Sequence, residues 1–150
     1  NLTATKFAAF GRGGWIDRTG QRAAARRWIS DLAIRCRDVE QPVGELSGGN
    51  QQKLVLAREI DVDPRVLLVG QPTRGVDIGA IEFIHKKLVA LRDAGKALLI
   101  VSVELDEILG LADRILVMNA GEIVGELLRA DATEEKMGLL MAGVKSEGPA

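Results

Sequence analysis

Leu46-Ser-Gly-Gly-Asn-Gln-Gln-Lys53 joins an apolar connector to a helix-forming run that extends to Ile60. Ser47 is a natural N-cap, because its hydroxyl can accept from an N–H of the first helical turn. Gly48 and Gly49 carry no Cβ, so a ligand can come close to their backbone. A helix start leaves N–H groups unpaired at the positive end of the dipole, which favours an anion and suits phosphate best. Taken by itself the stretch has two readings: a phosphate-binding helix start, or a capped helix with two permissive glycines.

Working outward, Ala25, Trp28, Ile29, Leu32 and Cys36 recur at the spacing of one buried helical face, predicting a helix from Thr19 to Arg37. The segment up to Gly14 is rich in glycine and small residues and reads as a loop or frayed helix. Asp38 to Glu45, with Pro42 and Gly44, is a connector. Asp61-Val-Asp-Pro64 ends the helix that begins at Ser47. Beyond Pro64 the texture becomes alternating. Arg65–Val69 and Ala97–Val101 are short apolar runs suited to parallel strands buried on both faces. Between them Ile78 to Arg92 forms a helix, with Ile81, Ile84, Leu88 and Leu91 on one stripe and Gly95 closing it. A short helix over Glu104–Leu111 follows. Arg114–Met118 and Glu122–Leu127 bracket Asn119-Ala-Gly121, a hairpin turn. Thr133 to Gly143 predicts a last helix, and Ser146 to Ala150 a disordered tail. The chain therefore divides into a helical part over 1–63, an α/β part over 64–143 and a tail over 144–150.

The 150 residues can bury a workable core. Twenty Lys and Arg against 21 Asp and Glu leave a net charge near zero, which argues against nucleic acid as the main partner. Lys6, Arg12, Arg18, Arg22, Arg26, Arg27, Arg35 and Arg37 nevertheless crowd the first forty residues, as a basic partner-facing surface or a solvated helix face. The single cysteine, Cys36, has no internal disulfide partner and suits a reducing compartment. No apolar run reaches membrane-spanning length and there is no signal peptide. The chain opens at Asn1 without an initiator Met, in mid-pattern, as a fragment would.

Leu46 to Lys53 resembles the signature motif of ATP-binding cassette (ABC) ATPases, in the Asn-Gln-Gln form common among monosaccharide importers. Gly70-Gln-Pro-Thr-Arg-Gly-Val-Asp77 is similar to that family's Walker B end, catalytic position and D-loop. Ser102-Val-Glu-Leu-Asp-Glu107 falls where the switch loop belongs, and Asp113–Met118 with Gly121–Val124 match the last strands. The resemblance covers nearly the whole chain in the family's order. It implies a P-loop NTPase-like α/β cassette fragment: a signature-bearing helical subdomain, then a mostly parallel sheet with flanking helices, the P-loop strand being absent. That strand would lie between Ala97–Val101 and Arg114–Met118. Its absence predicts two unsatisfied edges, through which the isolated chain would dimerise or rearrange.

Departures from the pattern matter as much. The resemblance implies Asp, Glu and His where this chain has Gly70, Gln71 and Val103. Gly70 offers no ligand to Mg²⁺, Gln71 cannot accept a proton as a carboxylate does, and Val103 cannot donate to a γ-phosphate. No catalytic set is intact and no metal ligand is expected. Cassettes of this family pair head to tail, so the resemblance implies that Ser47, Gly48, Gly49 and Gln51 bind the ATP of a partner cassette in trans, with Asp77 joining the two sites. ATP and Mg belong to the complete two-cassette assembly, and this chain alone is expected to be inactive. The resemblance further implies a motor subunit of a nucleoside or simple-sugar importer, peripheral on the cytoplasmic face of a bacterial inner membrane. It would work with permease subunits and, indirectly, a solute-binding protein. A soluble ABC ATPase and a regulatory cassette are the competing classes; neither CxxC pairs nor coiled-coil heptads support a repair enzyme.

Lesser signals are open. Arg74 can bridge to a partner or be an ordinary surface arginine, and His85 lies on a helix away from the switch position. Glu82, Lys86 and Lys87 read as a solvated face, Trp28 as core. Trp15, in a Gly-rich loop, is a candidate contact for a membrane subunit. Gly79–His85 resembles the nucleoside-importing branch, and with Gly70-Gln71 favours nucleosides over sugars.

Overall fold

The computed structural model describes residues 1–12 and 15–144. They fall into two compact units, Asn1–Leu99 and Ile100 onward. The tail read as disordered lies, but for Val144, outside the described residues, as do Gly13 and Gly14 of the amino-terminal loop.

In the first unit a 3-10 segment over Ala4–Phe10 leads into a two-residue ladder, β1 (Gly11–Arg12) with β2 (Trp15–Ile16). Helix α1 runs Arg18–Asp31, capped by Asp17, whose carboxylate accepts from Gly20 N. The helix is shorter than its periodicity predicts. Leu32 ends it and Ala33 turns to φ 47°, a left-handed conformation that stops helical hydrogen bonding. Leu32 and Cys36 still reach the core, but from the end of α1 and the loop beyond it. That core joins Leu2, Leu32, Ile34, Leu46, Leu54 and Ala57, with Trp28, Ile29 and Val43 packed around it. Burying each large aliphatic contributes roughly 1.5–3 kcal/mol.

Helix α2 covers Gly48–Asp61, one residue beyond the predicted end. A carboxylate at a helix carboxyl terminus opposes the helix dipole. Asp61 is nonetheless only 10% exposed, because Trp28 Nε1 donates to it at 2.6 Å while Lys6 and Arg27 each lie at 3.4 Å. These three partners tie the 3-10 segment, α1 and α2 together. The amino-terminal basic excess is thereby partly neutralised: Arg22 pairs with Glu40, and Arg37 with Asp38 and Glu45.

β3 (Val66–Gly70), α3 (Ile78–Asp93) and β4 (Ala97–Val101) follow, with β3 and β4 side by side. The helical crossover is what parallel neighbours require. Gly95 takes φ 83° after α3, as predicted. The expectation that both strands are buried on both faces is not met. Val66, Leu68, Leu99 and Val101 are 55–72% exposed, while Leu67 is buried. Exposure alternates along each strand, as the period-2 pleat dictates when only one face is covered.

The second unit contains α4 (Leu105–Leu111), β5 (Arg114–Asn119), β6 (Glu122–Leu128) and α5 (Glu134–Met141). β5 and β6 form the predicted hairpin, Asn119 facing Glu122, with a bulge between Val117 and Met118. Ala120 and Gly121, at φ 48° and 85°, give the positive-φ turn that suits strand twist. A Cβ on Gly125 would sit 2.6 Å from Leu140 Cδ1, so glycine lets α5 lie on β6. Ile115, Val117, Ala132, Met137 and Leu140 make this unit's core.

Candidate functional site

Ser47 occupies the N-cap position of α2 (φ −62°, ψ 156°), but its side chain makes no cap hydrogen bond. Its Oγ instead accepts from Asn50 Nδ2 at 2.8 Å, and Asn50 Oδ1 accepts from the Arg35 backbone N–H at 2.8 Å. Gln51 turns back along its own chain, its Nε2 donating to Leu46 O at 2.9 Å. Ser47 and Gly48 are exposed at the helix start and Gly49 is buried.

The close approach that the glycines allow is made here by the chain itself. A Cβ on Gly48 would stand 2.9 Å from the Gly75 carbonyl oxygen. One on Gly49 would stand 2.9 Å from Ala80 Cβ and 3.2 Å from Asp77 Oδ2. The signature segment and the start of α3 are therefore in direct contact within one unit. Asp77 caps α3, its Oδ1 accepting from Ala80 N at 2.9 Å, and Gly75 lies in the left-handed region at φ 72°. Arg74 is exposed.

Gly70 ends β3 and Gln71 follows at φ 48°, with Arg74 N donating to its carbonyl. Pro72 and Thr73 are buried beneath this turn. In the second unit Val103 is 64% exposed, in a loop where Glu104 N donates to Ser102 Oγ. Among Gly70, Gln71 and Val103 the only polar side chain is a carboxamide. A hard divalent cation seeks carboxylates, so these side chains do not fit Mg²⁺. Among the described residues no group of three or more His, Cys, Asp or Glu gathers as a metal site.

Two arrangements escaped sequence reasoning, the Asn50 bridge and the Trp28–Asp61 clamp. The partners are separated by 15 and 33 positions, and no periodicity signals them. A cavity of about 470 Å³ borders α1 and the 34–43 connector, lined by Arg22, Ala25, Ile29, Cys36 and Val43 among others, and includes neither Ser47 nor Gly48. Of the phosphate-facing candidates, Ser47 and Gly48 thus lie on an exposed helix start, whereas Gly49 is buried and Gln51 half-buried. Glu82 and Lys86 pair at 2.6 Å on the exposed face predicted for them, and the hydrogen bond from Lys86, with its positive charge, holds Glu82 below the usual carboxylate range. No helix among the described residues is long and apolar enough to cross a membrane.

No protein-family model matches the chain. It is 51% identical over 119 residues to the guanosine import ATP-binding protein NupO of Bacillus subtilis, a match covering 79% of this chain and 23% of that protein. It is 43% identical over 150 residues to the ribose import ATP-binding protein RbsA of Rhodococcus jostii, covering 100% of this chain and 29% of that one. The chain thus spans about a quarter of the length of the curated relatives it matches. Among solved structures, a post-hydrolysis cassette dimer bound to ADP and Pi superimposes with a TM-score of 0.67, at 24% identity, over 81% of this chain and 52% of that one. A nucleotide-free cassette from an ABC transporter gives 0.66 at 25% identity, over 87% and 50%. With a helix start at Gly48–Gly49 packed against Gly75–Ala80 and these homologues, the chain is a stretch of ABC-type ATP-binding cassette, similar to nucleoside and ribose import ATP-binding proteins.

Proposed function

We propose that the chain serves in the ATP-driven motor of an importer for nucleosides or simple sugars, presenting Ser47, Gly48, Gly49 and Gln51 to the nucleotide of a partner cassette. The observation that carries this reading is the exposed start of α2, where Ser47 and Gly48 face outward from a helix braced against Gly75–Ala80. Unpaired N–H groups and a hydroxyl there are suited to phosphate. In this structure Gln51 donates its carboxamide to Leu46 O and its backbone N–H to Ser47 O, so it would reach the nucleotide by releasing Leu46. Asp77, at the head of α3 beside Gly49, would relay closure from one nucleotide to the other.

The chain's own site lacks hydrolytic groups. Gly70, Gln71 and Val103 offer neither a carboxylate for a metal nor a base for water, so no hydrolytic step is assigned to them. ATP binding across the interface would close the cassettes and so drive permease subunits at the cytoplasmic face of the membrane, with solute delivered by a binding protein. Relatives named for guanosine and nucleoside import, at 51% and 46% identity, favour nucleosides as cargo. Among the described residues β4 pairs only with β3 and β5 only with β6, so the open edges at Ala97–Val101 and Arg114–Met118 would give the isolated chain a route to self-association.

Calorimetric titration of the isolated chain with Mg-ATP, with phosphate release followed in the same sample, tests the reading. Binding weaker than millimolar and no turnover are expected. Tight binding or turnover would make the chain an enzyme in its own right and refute the assignment of Gly70, Gln71 and Val103.

A further inference from the structure

The hydrogen bonds around Asn50 have only one consistent polarity. A backbone N–H can only donate, so the Asn50 atom 2.8 Å from Arg35 N must be the carbonyl Oδ1. The amide Nδ2 is then the atom 2.8 Å from Ser47 Oγ, and it too can only donate. The serine hydroxyl is therefore an acceptor towards Asn50, and its own proton must point elsewhere. Its cap bond to the helix is not made, and Ser47 is exposed. The proton is left facing the open side of the helix start.

We infer that Asn50 is a positioning residue that holds the Ser47 hydroxyl as an outward donor to the partner's nucleotide phosphate; this rests on the trans-binding reading above. A lone serine hydroxyl rotates and can offer either a lone pair or a proton to its surroundings. One lone pair is occupied by Nδ2, and the rotamer that would point the proton at Asn50 would oppose two donors. The donating orientation is thus set before phosphate arrives, which avoids the reorganisation that weakens unoriented donors. The anchor is the Arg35 amide, just past the left-handed Ala33 that ends the first helix's turn-off. The loop between α1 and the connector thereby fixes a proton at the signature.

The test is a double-mutant cycle in the full-length gene product that contains this chain, assembled with its partner cassette. ATP affinity and ATPase rate are measured for the parent, Ser47→Ala, Asn50→Ala and the double variant. Ser47→Ala is expected to weaken ATP-dependent turnover roughly 10- to 100-fold, the worth of one hydrogen bond to a charged oxygen. Asn50→Ala should cost roughly 3- to 10-fold by the same scale and nothing further when Ser47 is already alanine. Asn50→Asp adds a readout that packing alone would not move. A carboxylate still accepts from Arg35 N, preserving the loop, but it draws the serine proton inward, so turnover should fall further than in Asn50→Ala while the melting temperature holds. Losses that multiply in the double variant would overturn the orienting role and leave the trans-site reading standing. A Ser47→Ala protein with parental ATP affinity and rate would overturn both.

Discussion

Replacing Gly49 by alanine probes the contact between the signature helix and the D-loop turn most directly. The new Cβ would lie 2.9 Å from Ala80 Cβ, 3.2 Å from Asp77 Oδ2 and 3.8 Å from Val76 Cβ. Ala80 is 5% exposed and rooted in the first turn of α3, so it has no flexible end that could swing aside. Relief requires α2 and α3 to separate by a few tenths of an ångström, and overpacking of this kind costs about 1–3 kcal/mol. Opposing it, alanine recovers up to about 1 kcal/mol of helix propensity, less so in a first turn. The balance is a loss of about 1–2 kcal/mol, or about 3–8 °C in Tm for a chain of this size. Urea unfolding followed by tryptophan fluorescence is the assay, because both tryptophans, Trp15 and Trp28, lie in the first unit. The midpoint should fall with an unchanged slope. Gly79→Ala is the control: it is exposed, in the first turn of α3, and its Cβ would meet only Asp77 Oδ1 at an ordinary 3.4 Å. If Gly49→Ala matches the parent in stability, the claim that this helix crossing demands glycine is wrong.

Two further outcomes are expected. Asp61→Ala should destabilise the first unit by about 1.5–3 kcal/mol, the worth of hydrogen bonds to a charged group. A Trp28→Phe change should add little on top, and fully additive losses would show that the two side chains do not act through one bond. Asp63, exposed at φ 51° before Pro64, accepts from Lys96 Nζ at 2.6 Å, and that ammonium holds its carboxyl below the usual range. A depressed folded-state value means the pair stabilises above the ordinary carboxylate range near pH 4 and loses this as pH falls through the folded value. Parent and Asp63→Asn should therefore differ at neutral pH and converge in acid; a constant gap from pH 7 to 2.5 in chemical denaturation would contradict the linkage.

Much of this molecule was legible from residue order because local physics governs it. Pro64 and the Asp-rich run before it stop α2, Gly95 ends α3, and Ala120-Gly121 turns the β5–β6 hairpin. In each case the deciding force acts within a few residues. The helix start at Ser47 and Gly48 was legible for the same reason, since serine and paired glycines before a helical run mark an amino terminus. Boundaries set by long-range packing were not. The periodicity of α1 runs on to Cys36, yet the helix breaks at Leu32 because the side chains of Leu32, Ile34 and Cys36 enter the core from a loop. Strands read as buried on both faces carry one exposed face, because an apolar run records what a strand can bury against and not how many layers cover it.

The sequence by itself determined the family and the order of elements, and it shows that Gly70, Gln71 and Val103 carry no carboxylate or imidazole, because side-chain identity needs no fold. Tertiary structure decided how the segment around Ser47 is packed and bonded. It placed Gly75 and Ala80 against Gly48 and Gly49, turned Gln51 back to Leu46, and set Asn50 between Arg35 and Ser47. Those outcomes depend on the direction of a donor and on a few tenths of an ångström between helices, and neither quantity exists until the chain has folded.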